Sequence, residues 1–191
     1  MSVAAVLLGA YLTGSMNFAI AVSRLVGFPD PRTQKSGNPG ASNVARVAGR
    51  GWATAVLLLD LARAIFIRGL AARFCPVEAA PWAGLALIAG NRFPIFHKFK
   101  GGKGVAAYLG FVAATQPWFA LLACTGWFGT YSVTRVSALA SMTMLLVLAV
   151  AAIRELPVAF LSMLGTSLTV ALIVAGHRSN LRAWRRHQSH D

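Results

Sequence analysis

The sequence is short of acid. Its 191 residues carry 5 Asp+Glu against 18 Lys+Arg, and charged residues make up only 12%, about half the share of an ordinary soluble domain. That scarcity excludes an ordinary soluble domain, and the 57% hydrophobic content excludes disorder. Cysteine is scarce too. Cys75 and Cys124 have no CxxC or other metal-ligand spacing and read as core thiols. The sequence holds no His/Cys/Asp/Glu metal cluster, no Ser-His-Asp set and no GxxxxGK[ST] loop, so neither a metal nor a cofactor is expected, and ATP hydrolysis is not implied. No internal repeat or low-complexity tract is evident.

What remains is apolar length and positive charge, formally +13. Basic residues in so apolar a chain either sit in the cytoplasmic loops of a membrane protein or gather anionic substrates. Nucleic-acid binding is a poor third explanation, because too little soluble surface is left. Met1–Ser23, Ala79–Asn91, Gly104–Thr134, Val136–Ile153 and Leu156–Gly176 are uncharged, and Ala53–Ile67 is apolar except for Asp60 and Arg63. Ala19-Ile20-Ala21 looks like a signal-peptide cleavage site, but no basic stretch precedes the first apolar run, which therefore reads as a span.

Gly104–Thr134 is too long for one span: at about 1.5 Å per residue it would reach roughly 46 Å against a hydrocarbon core of about 30 Å. Gln116-Pro117 near its middle predicts a break. Splitting it there gives seven spans, the part Gly104–Thr115 being short. With the N-terminus outside, all basic residues except Arg63, Arg68, Arg73 and Arg154 then fall on one side, and the positive-inside rule makes that side cytoplasmic. The six-span alternative strands Arg135 and the four-Arg tail outside. The expectation is an all-α, polytopic integral membrane bundle of about seven transmembrane helices, residues 1–191 forming one domain with a cytoplasmic C-terminus.

The polar chemistry collects in three segments on that face. Asp30–Arg50 mixes Gly37 and Gly40 with Ser36, Asn38, Ser42, Asn43 and Arg46, a composition that suits either an anion nest or a solvated basic connector. Phe93–Gly104 sets Lys103 among Gly101, Gly102 and Gly104 before an uncharged helix, a place where N–H donors, helix dipole and ammonium converge on a phosphate. Its phenylalanines suit a segment lying near lipid headgroups. Gly176–His187 places His177 and Asn180 on one helix face, while Arg182, Arg185 and Arg186 read as a basic tail. Ser137 and Ser141 share a face at a span end, and Asp60 with Arg63 reads as an intramembrane ion pair.

Ser36-Gly37-Asn38-Pro39-Gly40-Ala41-Ser42-Asn43 with Arg46, Phe99-Lys100-Gly101-Gly102-Lys103-Gly104-Val105-Ala106, and His177-Arg178-Ser179-Asn180 resemble, in order and spacing, the three motifs of bacterial acyl-phosphate:glycerol-3-phosphate acyltransferases. Asp30, Arg32 and Arg135–Ser141 are also similar to that family. The resemblance implies a seven-helix inner-membrane enzyme with its active site on the cytoplasmic face. It would move an acyl chain from acyl phosphate to glycerol 3-phosphate, giving lysophosphatidic acid and phosphate, the first acylation of phospholipid synthesis. Its partners would be those substrates, membrane lipid and, through function, the enzyme that makes acyl phosphate.

The resemblance further implies that Ser36, Asn38, Gly40, Ser42 and Asn43 form the acyl-phosphate nest together with Lys103. Arg46, Ser141, His177 and Asn180 would grip glycerol 3-phosphate, with Ser137 beside them. Gly101, Gly102 and Gly104 would allow close backbone approach. The family pattern implies Ser36, Arg46, Lys103, His177 and Asn180 as the catalytic group. Two proton acceptors stay open, a substrate phosphate and His177.

The chain departs from the family pattern at Asn91 (usually His), Arg63-Ala64 (usually Lys-Gly), Ala183 (usually Arg) and Ser189 (usually Glu). Restoring His at 91 is expected to leave activity equal or higher. The alternatives are a divergent paralogue with another acceptor, a transporter of organophosphate anions, and a non-catalytic protein that recognises anionic lipid. The clustering of anion motifs at one face, without repeats, disfavours the transporter. The Gly-Ser-Asn mixture is more than a lipid-binding basic face needs.

Overall fold

The computed structural model describes residues 1–155 and 159–188. The expected start of the last span at Leu156, and Ser189, lie outside the described residues. Among these residues there are nine α-helices and no strand: α1 (Val3–Ser15), α2 (Phe18–Val26), α3 (Ala41–Ala48), α4 (Arg50–Phe74), α5 (Ala80–Arg92), α6 (Val105–Ala113), α7 (Pro117–Thr134), α8 (Ser137–Glu155) and α9 (Phe160–Gln188).

Two sets of contacts define two ends of the bundle. At one end Arg46 of α3 meets Ser137, and Lys103 meets Asn180. At the other, Arg68 pairs with Glu155, Thr115 Oγ1 donates to Glu155, and Trp82 Nε1 donates to Leu161 O. From α4 onward each helix therefore reverses the direction of the one before it. The three polar segments share one end.

Two helical stretches, Ser137–Glu155 and Phe160–Arg186, are long and apolar enough on their own to cross a membrane, and the bent α1–α2 pair makes a third. Nine-residue α6 rises only about 14 Å. Exposed large apolar side chains such as Leu8, Phe66, Trp118, Leu122, Phe128, Leu146 and Phe160 cover the flanks, the surface a lipid environment demands.

The first apolar run does not form one straight helix. It breaks after Ser15, and Asn17 restarts it by accepting the Ile20 N–H at 3.2 Å, bending the pair by 41°. The break at Gln116-Pro117 falls where expected, with Pro117 as the first residue of α7. The last helix runs past Gly176 through the basic tail to Gln188.

The core joins α1 and α4 to α9 around Val6, Ile67, Leu87, Ile88, Leu148 and Ile173. Helices α1 and α5 cross in backbone contact: a Cβ on Gly14 would sit 2.1 Å from Leu87 O, and one on Gly90 2.1 Å from Tyr11 O. Small residues at a crossing are how helices approach closely where no water drives them together.

The far end holds the Arg68–Glu155 pair beside a cavity of about 30 Å³ that Tyr108 also lines, room for one water. Arg68→Met strands the Glu155 carboxylate, and a loss of roughly 2 kcal/mol is expected. Thermal unfolding in detergent should show the lowered midpoint, while the catalytic constants of the protein at low temperature should hold.

Candidate active site

The first polar segment is shaped by its own side chains. Asp30 takes a bidentate hold on Arg32, whose Nη1 donates to His97 O at 3.2 Å and so ties this loop to the second segment. The Arg32 guanidinium holds the Asp30 carboxyl below its ordinary range. Asn43 is buried at the start of α3. Its Nδ2 donates to Pro31 O and Gln34 O at 2.8 and 3.0 Å, and its Oδ1 accepts the Ser36 N–H at 3.3 Å. The Asn43 amide thus holds the loop together, which leaves the exposed Ser36 and Ser42 and the half-buried Asn38 to face outward. Gly40 caps α3, and its carbonyl accepts the N–H groups of Asn43 and Val44.

The second segment folds against the end of α5. Gly102 N–H donates to Asn91 O at 2.9 Å and Gly101 N–H to Arg92 O at 3.2 Å. Gly102 also abuts the first loop, since a Cβ there would lie 3.1 Å from Pro39 O. Gly104 takes φ 87°, a left-handed conformation that glycine adopts without cost, and starts α6. The tight turn leaves Lys103 half-buried, with Nζ donating to Asn180 Oδ1 at 2.7 Å. Helix α9 runs close by: a Cβ on Gly176 would lie 3.6 Å from Lys103 Cγ and 3.8 Å from Arg92 Cζ.

Burial lowers the Lys103 ammonium to about 8, helped by the positive charges of Arg92 and Arg46. Lys103 therefore sits among cations, and Arg46 and Arg92 have no carboxylate within ion-pair distance among the described residues. An anion bound here would relieve that repulsion.

Arg46 Nη2 donates to Ser137 Oγ at 3.0 Å, and Ser141 Oγ donates to Ser137 O at 2.8 Å. His177 is buried, with Nδ1 2.9 Å from Ile173 O. A carbonyl only accepts, so Nδ1 carries the proton and Nε2 keeps the lone pair of the neutral ring. Arg46 and Ser137 thus form one contact and Lys103 and Asn180 another, with His177 one residue beyond the Gly176 contact. Ser36 and Ser42 make no such cross-segment contact.

In the sequence Arg92 stands out only as a topological charge. It lines, with Arg32, Gly37, Phe93, Phe99, Lys100 and Gly101, a cleft of about 300 Å³ between the first two segments. Its position directly after Asn91 and ahead of the Gly-rich turn was the available signal.

Asp60 and Arg63 are buried, with Arg63 Nη2 2.7 Å from Asp60 Oδ1. The i, i+3 spacing in the sequence predicts that pair alone. The guanidinium also donates to Thr13, Gly14 and Met16 carbonyls and to Asn91 Oδ1. The side chains of Arg63 and Asn91 are therefore in direct contact. That reverses the expectation for a His at 91, whose larger ring would have to displace the Arg63 contact. Ala64 packs where Gly110 leaves room: a Cβ on Gly110 would be 3.0 Å from Ala64 Cβ. Ala183 is exposed.

A helical bundle with apolar flanks, and one cationic end rich in glycine turns, hydroxyls and amides, defines the class as an integral membrane protein with its polar chemistry gathered at that end. The comparisons name the family. The sequence pattern of the family described as glycerol-3-phosphate acyltransferase matches residues 4–187. Proteins named glycerol-3-phosphate acyltransferase from Pseudomonas putida KT2440 and Methylobacillus flagellatus are 44% and 39% identical, over 91% and 95% of this chain and 90% and 93% of theirs. The crystal structure of PlsY, an integral membrane glycerol 3-phosphate acyltransferase in its glycerol 3-phosphate form, superposes with a TM-score of 0.88 at 31% identity, covering 97% of this chain and 92% of that one. Its lysophosphatidic acid form gives 0.85 at 30% identity, with the same coverage. The chain belongs to the glycerol-3-phosphate acyltransferase family.

Proposed function

We propose that the protein transfers an acyl group from acyl phosphate to glycerol 3-phosphate, releasing phosphate and lysophosphatidic acid, as the first acylation of phospholipid synthesis. The observation that carries the reading is the Lys103–Asn180 hydrogen bond, which joins two of the anion-type segments at the end where Arg46 and Arg92 also gather. Both substrates bring phosphate to that end. In this reading the chain crosses the bacterial inner membrane seven times, with α1 and α2 counting as one bent span, and the cationic end faces the cytoplasm.

The donor phosphate would lie against the Ser36–Asn43 loop and Lys103, near the cleft between Arg32, Arg92 and Lys100. Glycerol 3-phosphate would be held by Arg46, Ser137, Ser141, His177 and Asn180. An acceptor hydroxyl oxygen attacks the acyl carbonyl carbon, the new ester C–O bond forms, and the bond to the phosphate oxygen breaks. The hydroxyl proton passes to a substrate phosphate oxygen or to His177 Nε2. Phosphate is a good leaving group, so positioning and electrostatic stabilisation suffice, without a covalent enzyme intermediate. Lys103 and the arginines would stabilise the charge that grows on the departing phosphate.

The test is phosphate release by the purified protein in lipid, given palmitoyl phosphate with and without glycerol 3-phosphate. Acceptor-dependent release with lysophosphatidic acid as product supports the reading. Folded protein that releases none overturns it. The Lys103 ammonium at about 8 also sets a pH profile. Its charged form predominates below that value, so kcat/KM should fall as pH rises through it. Arg92→Gln removes a neighbouring cation, so the descending limb should move to higher pH.

A further inference from the structure

Helix α1 ends at a break, and a broken helix leaves carbonyls without intrahelical partners. Arg63 meets that need from α4. Its Nη1 donates to Thr13 O, Gly14 O and Met16 O at 3.2, 3.0 and 2.8 Å. Its Nη2 lies against Asp60 and donates to Asn91 Oδ1 at 2.6 Å. Both Arg63 and Asn91 are more than nine-tenths buried.

An arginine has only donors, so the Asn91 atom facing it is the amide oxygen, and the amide nitrogen must face the other way. On that side lies the Gly-rich turn. A Cβ on Gly102 would sit 3.0 Å from Asn91 Nδ2, and one on Gly104 3.7 Å from it. The backbone of Asn91 holds the same turn through the Gly102 N–H. Lys103, between those two glycines, reaches Asn180 from there.

We propose that Arg63 and Asn91 are a matched positioning pair: Arg63 fixes the Asn91 amide, and Asn91 sets the Gly101–Gly104 turn so that Lys103 reaches its place beside α9. The inference rests on the acyl-phosphate reading, because it makes Lys103 the group that the pair serves. Both residues are buried behind the turn, so their part is positioning. Arg63→Lys keeps the charge, but a single ammonium has too few donors for three carbonyls and Asn91 at once. Asn91→Leu keeps the branching at Cγ, with bulkier methyl groups, and removes both the acceptor for Arg63 and the amide facing the turn. In Arg63→Lys/Asn91→His, the shorter spread of the ammonium frees the room that the larger ring needs.

The test combines kinetics with a readout that does not depend on turnover. Palmitoyl phosphate and glycerol 3-phosphate kinetics are measured first on the unaltered protein, whose inactivity would sink the functional reading instead of this inference. Labelling of Lys103 by an amine-reactive reagent across pH, read by mass spectrometry, then reports its surroundings. Those are Arg46 on α3, Arg92 at the end of α5, and His177 and Asn180 on α9.

Asn91→Leu is expected to lower kcat/KM by about 10-fold or more, and the half-labelling pH of Lys103 should rise as the turn opens to water. Arg63→Lys and Asn91→His should each lose activity, and the double variant should recover to within about 3-fold of the starting protein. Thermal midpoints are measured alongside. If the Lys103 labelling curve of folded Asn91→Leu is unchanged, or if the two single losses simply multiply in the double variant, the pair does not position Lys103 and the inference falls.

Discussion

Lys103→Met should lower kcat/KM for palmitoyl phosphate by about 100-fold or more, the scale of losing one charged donor from a site that stabilises developing negative charge. Methionine approximates the length of the stem and removes the ammonium. The hydrogen bond to Asn180 is lost with it. Lys103→Arg separates charge from geometry. It keeps the cation and removes the titration near pH 8, because a guanidinium stays protonated there. Steady-state phosphate release across pH checks both variants. Residual activity in Lys103→Arg should therefore lack the descending limb, and a persistent limb would assign that titration to another group. Kinetics of Lys103→Met within about 3-fold of the starting protein would remove Lys103 from the transition state.

The fold is most legible in the sequence where one residue type carries its own geometry. Pro117 lacks a backbone donor and ends the helix before it, so the break inside the long apolar run was legible. The break after Ser15 was not, because nothing apolar changes there. The only cue is Asn17, whose side chain restarts the helix and which as a lone intramembrane Asn looks like any buried amide. The continuation of α9 into the arginine-rich tail was equally hidden. Hydropathy falls at His177, but helix propensity does not, since Arg, Ala and Leu all favour helix.

At the site, Lys103 and Asn180 were each legible as anion-type residues in their own segments. Their contact spans 77 positions and exists only once α5, α6 and α9 are packed. Asn43 shows the converse. Its residue type suits a ligand, but burial and three hydrogen bonds commit it to the loop. Arg63 could be read as the partner of Asp60 from the i, i+3 spacing. Its role toward the α1 carbonyls depends on the break that sequence did not reveal.

Gly101→Ala carries the second large effect, and a different physical cause sets it. A Cβ at that position would lie 2.1 Å from Asn91 O and 2.5 Å from Pro94 Cδ. The first is backbone and the second belongs to a rigid ring, so neither can swing aside. The turn must move, and the adjoining Gly102 N–H to Asn91 O hydrogen bond at 2.9 Å moves with it. Lys103 lies two residues on, so about an ångström of displacement there is enough to cost on the order of 100-fold in rate. Gly69→Ala is the internal control, because a Cβ on Gly69 in α4 meets nothing within 4 Å. There alanine should hold or slightly raise the thermal midpoint, as expected for a helical glycine. Phosphate release and thermal unfolding measured on both variants separate the effects. Gly101→Ala should lose turnover by far more than its change in midpoint explains. Equal activity in the two variants would mean that the turn tolerates displacement and that Lys103 does not depend on its register.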